Sequence, residues 1–311
     1  MKNRVFNQFQ DIILEIKDGI SRITMNRPEV LNASREIMMD EMIEAIRISE
    51  LDPDVGVMVL TGAGRAFNSG ADISMMLKFN EKNGRWWNKR MRGLCMAFRD
   101  LPFPVIAMVN GPCMGGGNEF QFYCDLVIAS DRAYFGQTGA KVGACPVVGA
   151  TQYAASICGE RFAKELMFLA NRWSAEEAYA RGMINKVVPH DKLEEETMKW
   201  CKKILTLNRD TIRVMKTNIH FESDQLYASW AHGMEMLNSI IWGSPKMVEG
   251  MTAFLEKREP NFNQFYNSEA VMPSYYDALI QDNVKAAKTY YEEMIKEMDE
   301  YEEQRKLMKK S

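Results

Sequence analysis

The 311-residue chain has no CxxC pair among its six cysteines, no Gly-Lys-Ser/Thr after a glycine loop, and only three histidines. Each absence removes a class of function. Cys95, Cys113, Cys124, Cys145, Cys158 and Cys201 sit mostly in apolar stretches, which predicts reduced, buried thiols and no disulfide framework. Lacking both the P-loop lysine and GxGxxG spacing, the glycine loops do not suit a nucleoside triphosphate or a dinucleotide. His190, His220 and His232 are scattered over helical segments without metal spacing and are read as structural. No apolar run reaches the ~18 residues of a membrane span. The opening MKNRVFNQFQ also lacks a signal-peptide core. A cytoplasmic location, with no membrane partner, is the resulting expectation. A net charge of -3 gives no support to a nucleic-acid partner.

What is present reads as strands alternating with helices, an α/β pattern whose strand-end loops carry the chemistry. "DIILEIKDGISRITMN" (Asp11–Asn26) alternates on either side of Asp18-Gly19 and predicts a β-hairpin. From Glu36 to Leu51, Met39, Met42, Ile43 and Ile46 share one helical face. "VGVMVLTG" (Val55–Gly62) and "PVIAMVNG" (Pro104–Gly111) are apolar strands that each end in glycine, and "DLVIAS" from Asp125 is a third strand. Beyond about Thr151 the chain turns helical, with Ser174 and Glu177 spaced as a capping box and Gly182 placed to stop that helix. The tail past Tyr266 repeats Val284, Ala287, Tyr291, Met294, Met298 and Tyr301 on one face, an amphipathic helix expected to dock on this body or on a neighbour. The 24 methionines suit adaptable packing or pockets for bulky apolar ligands.

Two glycine regions stand out, "GAGRAFNSGADIS" (Gly62–Ser74) and "NGPCMGGGNE" (Asn110–Glu119). Close helix–strand packing is one reading of them. The other is backbone presentation: an N–H near Gly70-Ala71 and one within Gly115–Gly117 converge on a single oxygen and stabilise an oxyanion there. Glu119 is then either an acid favoured by a helix N-terminus or a group that exchanges a proton with substrate.

"NRPEVLNA" (Asn26–Ala33), "GAGRAFNSGADI", "FPVIAMVNG", "GGGNE", "CDLVIASDRAYFGQ" and "GMINKVVP" (Gly182–Pro189) stand in an order and spacing that resemble the crotonase superfamily, the enoyl-CoA hydratase/isomerase group, over Val5 to Phe265. "FGQTGAKVG" (Phe135–Gly143), "EEETMKWCKKIL" and "FLEKREPNFNQF" resemble dihydroxynaphthoyl-CoA synthases and ring-opening cyclic acyl-CoA hydrolases, and VVGATQ (Val147–Gln152) leans toward the hydrolases. The resemblance implies a spiral of ββα units over residues 1–200, a helical trimerisation region over 201–265 and a helical extension over 266–311. It also implies a homotrimer or homohexamer, a CoA thioester as substrate and no tightly bound cofactor. By position it implies the N–H groups of Ala71 and Gly116 as oxyanion hole and Glu119 as catalytic acid/base. Val30, Leu31 and Asp72 would meet the adenine end of CoA. Lys257, in the C-terminal helix, would reach the CoA phosphates of a neighbouring subunit.

One departure from the family pattern bears on the reaction. Where hydratases of the family place a second glutamate, this chain has Gly139 in "GQTG". In the synthases a glycine there goes with bound bicarbonate, so a bicarbonate or another anion near Gly139 is one expectation. Against the synthases, Ala144 and Pro146 replace their serine and aspartate. A site with one glutamate remains, with Thr138, Tyr123, Cys145 and Gln152 as candidate helpers. Trp86 and Trp87, in "GRWWNKRMRGLCM", either wall an alicyclic or aromatic acyl group or pack under a loop. Hydration of a cyclic enoyl-CoA or hydrolytic C–C ring opening of a cyclic oxoacyl-CoA heads the list, in alicyclic or aromatic acid degradation. Double-bond isomerisation, a synthase-like cyclisation and a non-catalytic binding scaffold are the alternatives.

Overall fold

The protein is described by a computed structural model covering residues 3–146 and 148–266, without the side chains of residues 222, 227–232 and 235–239. The predicted tail helix and the imidazole of His232 lie outside the described residues. The chain divides into two compact units, Met1–Pro260 and Asn261–Ser311.

The first unit opens with β1 (Arg4–Phe6), β2 (Ile12–Lys17) and β3 (Ile20–Met25), followed by α1 (Glu36–Glu50) and β4 (Val57–Gly62). Next come α2 (Ile73–Met76), α3 (Glu81–Asp100), β5 (Val105–Val109), β6 (Cys113–Met114), α4 (Gly116–Phe122), β7 (Leu126–Ser130) and β8 (Tyr134–Gly136). The helical half holds α5 (Ala150–Cys158), α6 (Glu160–Phe168), β9 (Arg172–Ser174), α7 (Ala175–Ala180), β10 (Lys186–Val188), α8 (Leu193–Leu205), α9 (Arg209–Ile240) and α10 (Pro245–Leu255).

Seven strands form one sheet in the order β1-β2-β3-β4-β5-β7-β10, antiparallel up to β3 and parallel beyond it. The β2–β3 hairpin closes at Asp18 and Gly19, whose φ values of 52° and 81° are those of a type I′ turn. The central strands read as unbroken apolar runs because both faces are covered. Val57 and Val59 of β4 pack with Ile106, Leu193 and Cys201 on the α8 side. Met58 and Leu60 face the main core with Met38, Met42 and Phe98. A second sheet, β6-β8-β9, carries the glycine-rich loop at the end of β6.

Other local expectations hold. Ser174 and Glu177 form the reciprocal capping box at α7, and Gly182 takes φ +77° just past it. Helix α9 extends well beyond the Asp210–Phe221 stretch read from sequence. Its buried Lys216 donates to Asp125 Oδ2 at 2.8 Å and to the Phe103 carbonyl at 3.0 Å, so a charge deep in the body has partners. His190 and His220 also serve structure: Nδ1 of His190 lies 3.0 Å from Ser130 Oγ, and Nε2 of His220 lies 3.6 Å from Asp125. One placement differs from expectation. Lys257 is not in the last helix but two residues past its end, at φ +56°, because α10 stops at Leu255.

Candidate active site

The three glycines after β6 differ in what they do. Gly115 caps α4 at φ 51°, ψ -121°, a backbone region that a side chain excludes. Gly116 is the first residue of α4, so its N–H is one of the donors that a helix start leaves without an intrahelical acceptor. Gly117 lies against Asn68, where an added Cβ would sit 2.5 Å from the Asn68 carbonyl oxygen. One turn into the helix, the Glu119 N–H donates to the Gly115 carbonyl at 3.0 Å, and the Glu119 side chain is buried.

Facing this loop is the segment after β4. Ser34 and Ala71 form an isolated parallel bridge: the Ser34 N–H donates to the Gly70 carbonyl at 2.8 Å, and the Asp72 N–H donates to the Ser34 carbonyl at 2.9 Å. Successive peptide units of an extended segment point to opposite edges. With Gly70 C=O and Asp72 N–H used on the Ser34 edge, Ala71 presents its own N–H on the other edge. That edge faces Gly116, from which a Cβ would lie 3.8 Å from the Ala71 nitrogen. Two backbone donors thus converge on one small volume, an arrangement that suits a developing oxyanion.

Ala71, Gly116 and Glu119 line one cavity of about 240 Å³ together with Leu31, Thr138, Gly139 and Cys145. Among the described residues lining it, Glu119 is the one carboxylate. A larger groove, about 830 Å³, runs along the outer side of α3 past Lys82, Arg85 and Trp86. It holds none of these donors, so the smaller cavity is the candidate site.

The two tryptophans separate. Both lie on α3, where neighbouring residues point about 100° apart. Trp87, 2% exposed, lines the cavity, whereas Trp86, 52% exposed, faces the outer groove. The second tryptophan of the cavity is instead Trp242, which lines it together with Met76 and Met91. Its ring packs edge-on to Phe79 at 5.3 Å and so close to Gly84 that a Cβ there would meet Trp242 Cγ at 2.5 Å. Trp242 and Met91 have no local sequence signal, since only tertiary folding brings α3 and the turn after α9 to the same wall.

The other expected residues scatter around the rim or leave the site. Val30 and Leu31 form the short turn that accepts hydrogen bonds from Ser69, at 3.3 Å from its hydroxyl to the Val30 carbonyl and 3.1 Å from its N–H to the Leu31 carbonyl. Asp72 caps α2 through Ser74 N–H and pairs with Arg27 at 3.2 Å, so its side chain is occupied locally. Lys257 follows Phe254, which lines the cavity, by three residues. Gln152 is not among the lining residues. Tyr123 is buried in the body and donates its hydroxyl proton to the Val148 carbonyl; burial pushes its phenol far above the ordinary range.

At Gly139 an added Cβ would lie 2.7 Å from the Ala144 carbonyl oxygen and 3.1 Å from the Cys145 Cα. The neighbouring Gln137 amide already donates to the Gly115 carbonyl at 3.2 Å. The space that a side chain at 139 would take is therefore filled by backbone.

Cys145, exposed as a residue, lines the cavity; burial of its sulfur and then the Glu119 charge push the thiol up to about 11. It is therefore a neutral thiol near pH 7 and a poor nucleophile. Iodoacetamide labelling of Cys145, followed by mass spectrometry, should be slow at neutral pH and rise toward that value. Glu119→Gln removes the like charge, lowers the thiol pKa and should speed labelling at a fixed alkaline pH. Equal rates in the two proteins would mean that the two groups do not interact across the cavity.

The family model for enoyl-CoA hydratase/isomerase matches residues 15–265. An enoyl-CoA hydratase from Mycobacterium avium subsp. paratuberculosis K-10 is 31% identical, covering 82% of this chain and 99% of its own, with a TM-score of 0.74. An enoyl-CoA hydratase/isomerase from Xanthobacter autotrophicus Py2 is 29% identical, covering 80% of this chain and 94% of its own, with a TM-score of 0.75. With this match over most of its length and a mixed α/β fold to go with it, the chain belongs to the enoyl-CoA hydratase/isomerase family, the crotonase superfamily.

Proposed function

We propose that the protein binds an acyl-CoA thioester with its carbonyl oxygen between the N–H groups of Ala71 and Gly116, and that Glu119 moves the proton at the adjacent carbon. The observation that carries this reading is the meeting of both donors and a buried carboxylate in one cavity. The donors hold the enolate oxygen, while Glu119, one helical turn from Gly116, is within the same enclosed volume. Val30, Leu31 and Asp72 would lie along the CoA, and Lys257 would meet phosphates at the rim or from a neighbouring subunit.

The acyl end meets Trp87, Trp242, Met76 and Met91, broad apolar surfaces that suit a ring better than a flexible chain. Hydration of a cyclic enoyl-CoA, or hydrolytic ring opening of a cyclic oxoacyl-CoA, is the chemistry favoured. In each, Glu119 directs the attacking water. That one carboxylate lines the cavity also favours a second reading, double-bond isomerisation, in which a single group removes a proton at one carbon and returns it at another.

A panel of cyclic enoyl- and oxoacyl-CoA esters in heavy-oxygen water separates isomerisation from the other two by product mass, and fragmentation of the product ions separates ring opening from hydration, since each of those adds one water. One added water with a new carboxylate supports ring opening, an added hydroxyl supports hydration, and an unchanged mass with a shifted double bond supports isomerisation. Turnover of straight-chain esters alone would overturn the ring assignment.

The reading carries a cytoplasmic location and a homotrimer or homohexamer. Exposed Val214, Met215, Ile219 and Phe221 on α9 are consistent with residues 201–265 supplying contacts between copies. Sedimentation equilibrium tests it; a monomer would overturn it.

A further inference from the structure

We infer that Asn68 is a positioning residue for the oxyanion hole, and that its side-chain amide sets the direction of the Ala71 N–H. The inference rests on the acyl-CoA reading above and goes beyond it, because Asn68 touches neither donor's hydrogen nor the cavity.

Asn68 is fully buried between the two segments that supply the donors. Its backbone is tied to the glycine loop. The Asn68 N–H donates to the Pro112 carbonyl at 3.1 Å, its carbonyl accepts from the Met114 N–H at 2.9 Å, and Gly117 packs on it. Its side chain, which Gly117 also packs against, binds the other segment. Oδ1 accepts from the Gly70 N–H at 2.8 Å, an Asx turn across two residues, while Nδ2 donates to the Asn32 carbonyl at 2.6 Å and to Ser34 Oγ at 2.9 Å.

These bonds enclose one peptide unit. The unit joining Gly70 to Ala71 has its carbonyl held by Ser34 N–H, and the residue before the bond is fixed at φ +101° by the Asx turn. In a trans peptide the N–H points opposite to the C=O. Fixing the Gly70 carbonyl on Ser34 therefore aims the Ala71 N–H into the cavity. Asn68 holds both ends of this arrangement, Gly70 through Oδ1 and Ser34 through Nδ2. Without the amide, Gly70, free of any side chain, can rotate the unit and swing the donor off the oxygen.

The test uses acetoacetyl-CoA, whose enolate absorbs in the near ultraviolet and whose enolate fraction reports stabilisation of the oxyanion. The full-length wild type should bind this probe and raise its enolate fraction at fixed pH. Asn68→Ala and Asn68→Ser should still bind it, with Kd rising no further than the lost enolate stabilisation accounts for, and should lower the enolate-to-keto ratio of bound probe by about tenfold or more, since small misplacements of a catalytic group reach ~10²-fold. Ser34→Ala, which removes one anchor of the amide, should fall between them and the wild type. It keeps the proposal open to refutation if both Asn68 variants fail to fold. A purely structural role would lower the melting temperature and leave the enolate fraction of bound probe unchanged. That result, in the Asn68 variants or in Ser34→Ala, overturns the proposal while the acyl-CoA reading stands. A wild type that does not bind the probe, or binds it without enolate, overturns the acyl-CoA reading and this role with it.

Discussion

Glu119→Gln is expected to lower turnover on the true substrate by about 10²–10⁴-fold, the range that a positioned acid/base contributes. The amide has nearly the same size and keeps hydrogen-bonding capacity, so the fold of α4 and the shape of the cavity should survive. What it loses is the ability to accept a proton from water or from the carbon next to the thioester. Binding of a CoA ester should therefore stay near the wild-type level while kcat falls, which marks an interaction made in the transition state. The Ala144–Cys145 backbone fills the side-chain space at Gly139, and among the described residues lining the cavity no second carboxylate stands in. Unchanged turnover in Glu119→Gln would refute the one-glutamate mechanism.

The second large effect should come from a single methyl group. In Gly116→Ala the added Cβ would lie 3.5 Å from Met91 Cε and 3.8 Å from the Ala71 nitrogen, ordinary contact distances. The residue is helical and needs no unusual φ, so the variant should fold and melt like the wild type. The methyl nevertheless sits between the two donors, where the thioester oxygen must go. Loss of one oxyanion donor costs about 10²–10³-fold in kcat, and obstruction of the hole should cost at least as much. Its neighbour offers a control of opposite kind. Gly117→Ala would force a Cβ to 2.5 Å from the Asn68 oxygen, so its first effect should be a lower melting temperature. Rates and thermal unfolding measured on both variants distinguish the roles. Full activity in Gly116→Ala would show that this N–H does not hold the oxyanion.

Much of the fold was legible because its signals are local. The alternation around Asp18-Gly19, the Met-rich face of α1, the apolar runs of β4, β5 and β7 and the capping box at α7 each depend on residues within a turn or two. The glycine loop was also legible in part, since its order with the other motifs resembles one superfamily. The acyl wall was not. The adjacent pair Trp86 and Trp87 looked equivalent in sequence, but a helix turns neighbouring residues to different sides, and only Trp87 reaches the cavity. The missing partner, Trp242, comes from the turn just past α9, a contact that no periodicity reports. Lys257 fell outside its expected helix because α10 ends two residues earlier.

By itself, the sequence determined the strand–helix order, the family and the residues that could serve as donors and acid, because these follow from side-chain chemistry and short-range backbone preference. The tertiary structure alone decided that the N–H groups of Ala71 and Gly116 meet, since Ser34 holds the peptide units on either side of Ala71, and Glu119 and Gln137 hold the Gly115 carbonyl. It also decided that the three glycines serve three purposes: a backbone angle at Gly115, open space at Gly116 and close packing on Asn68 at Gly117. A run of identical residues carries no such distinction, because what separates them is the atoms that the fold places a few ångströms away.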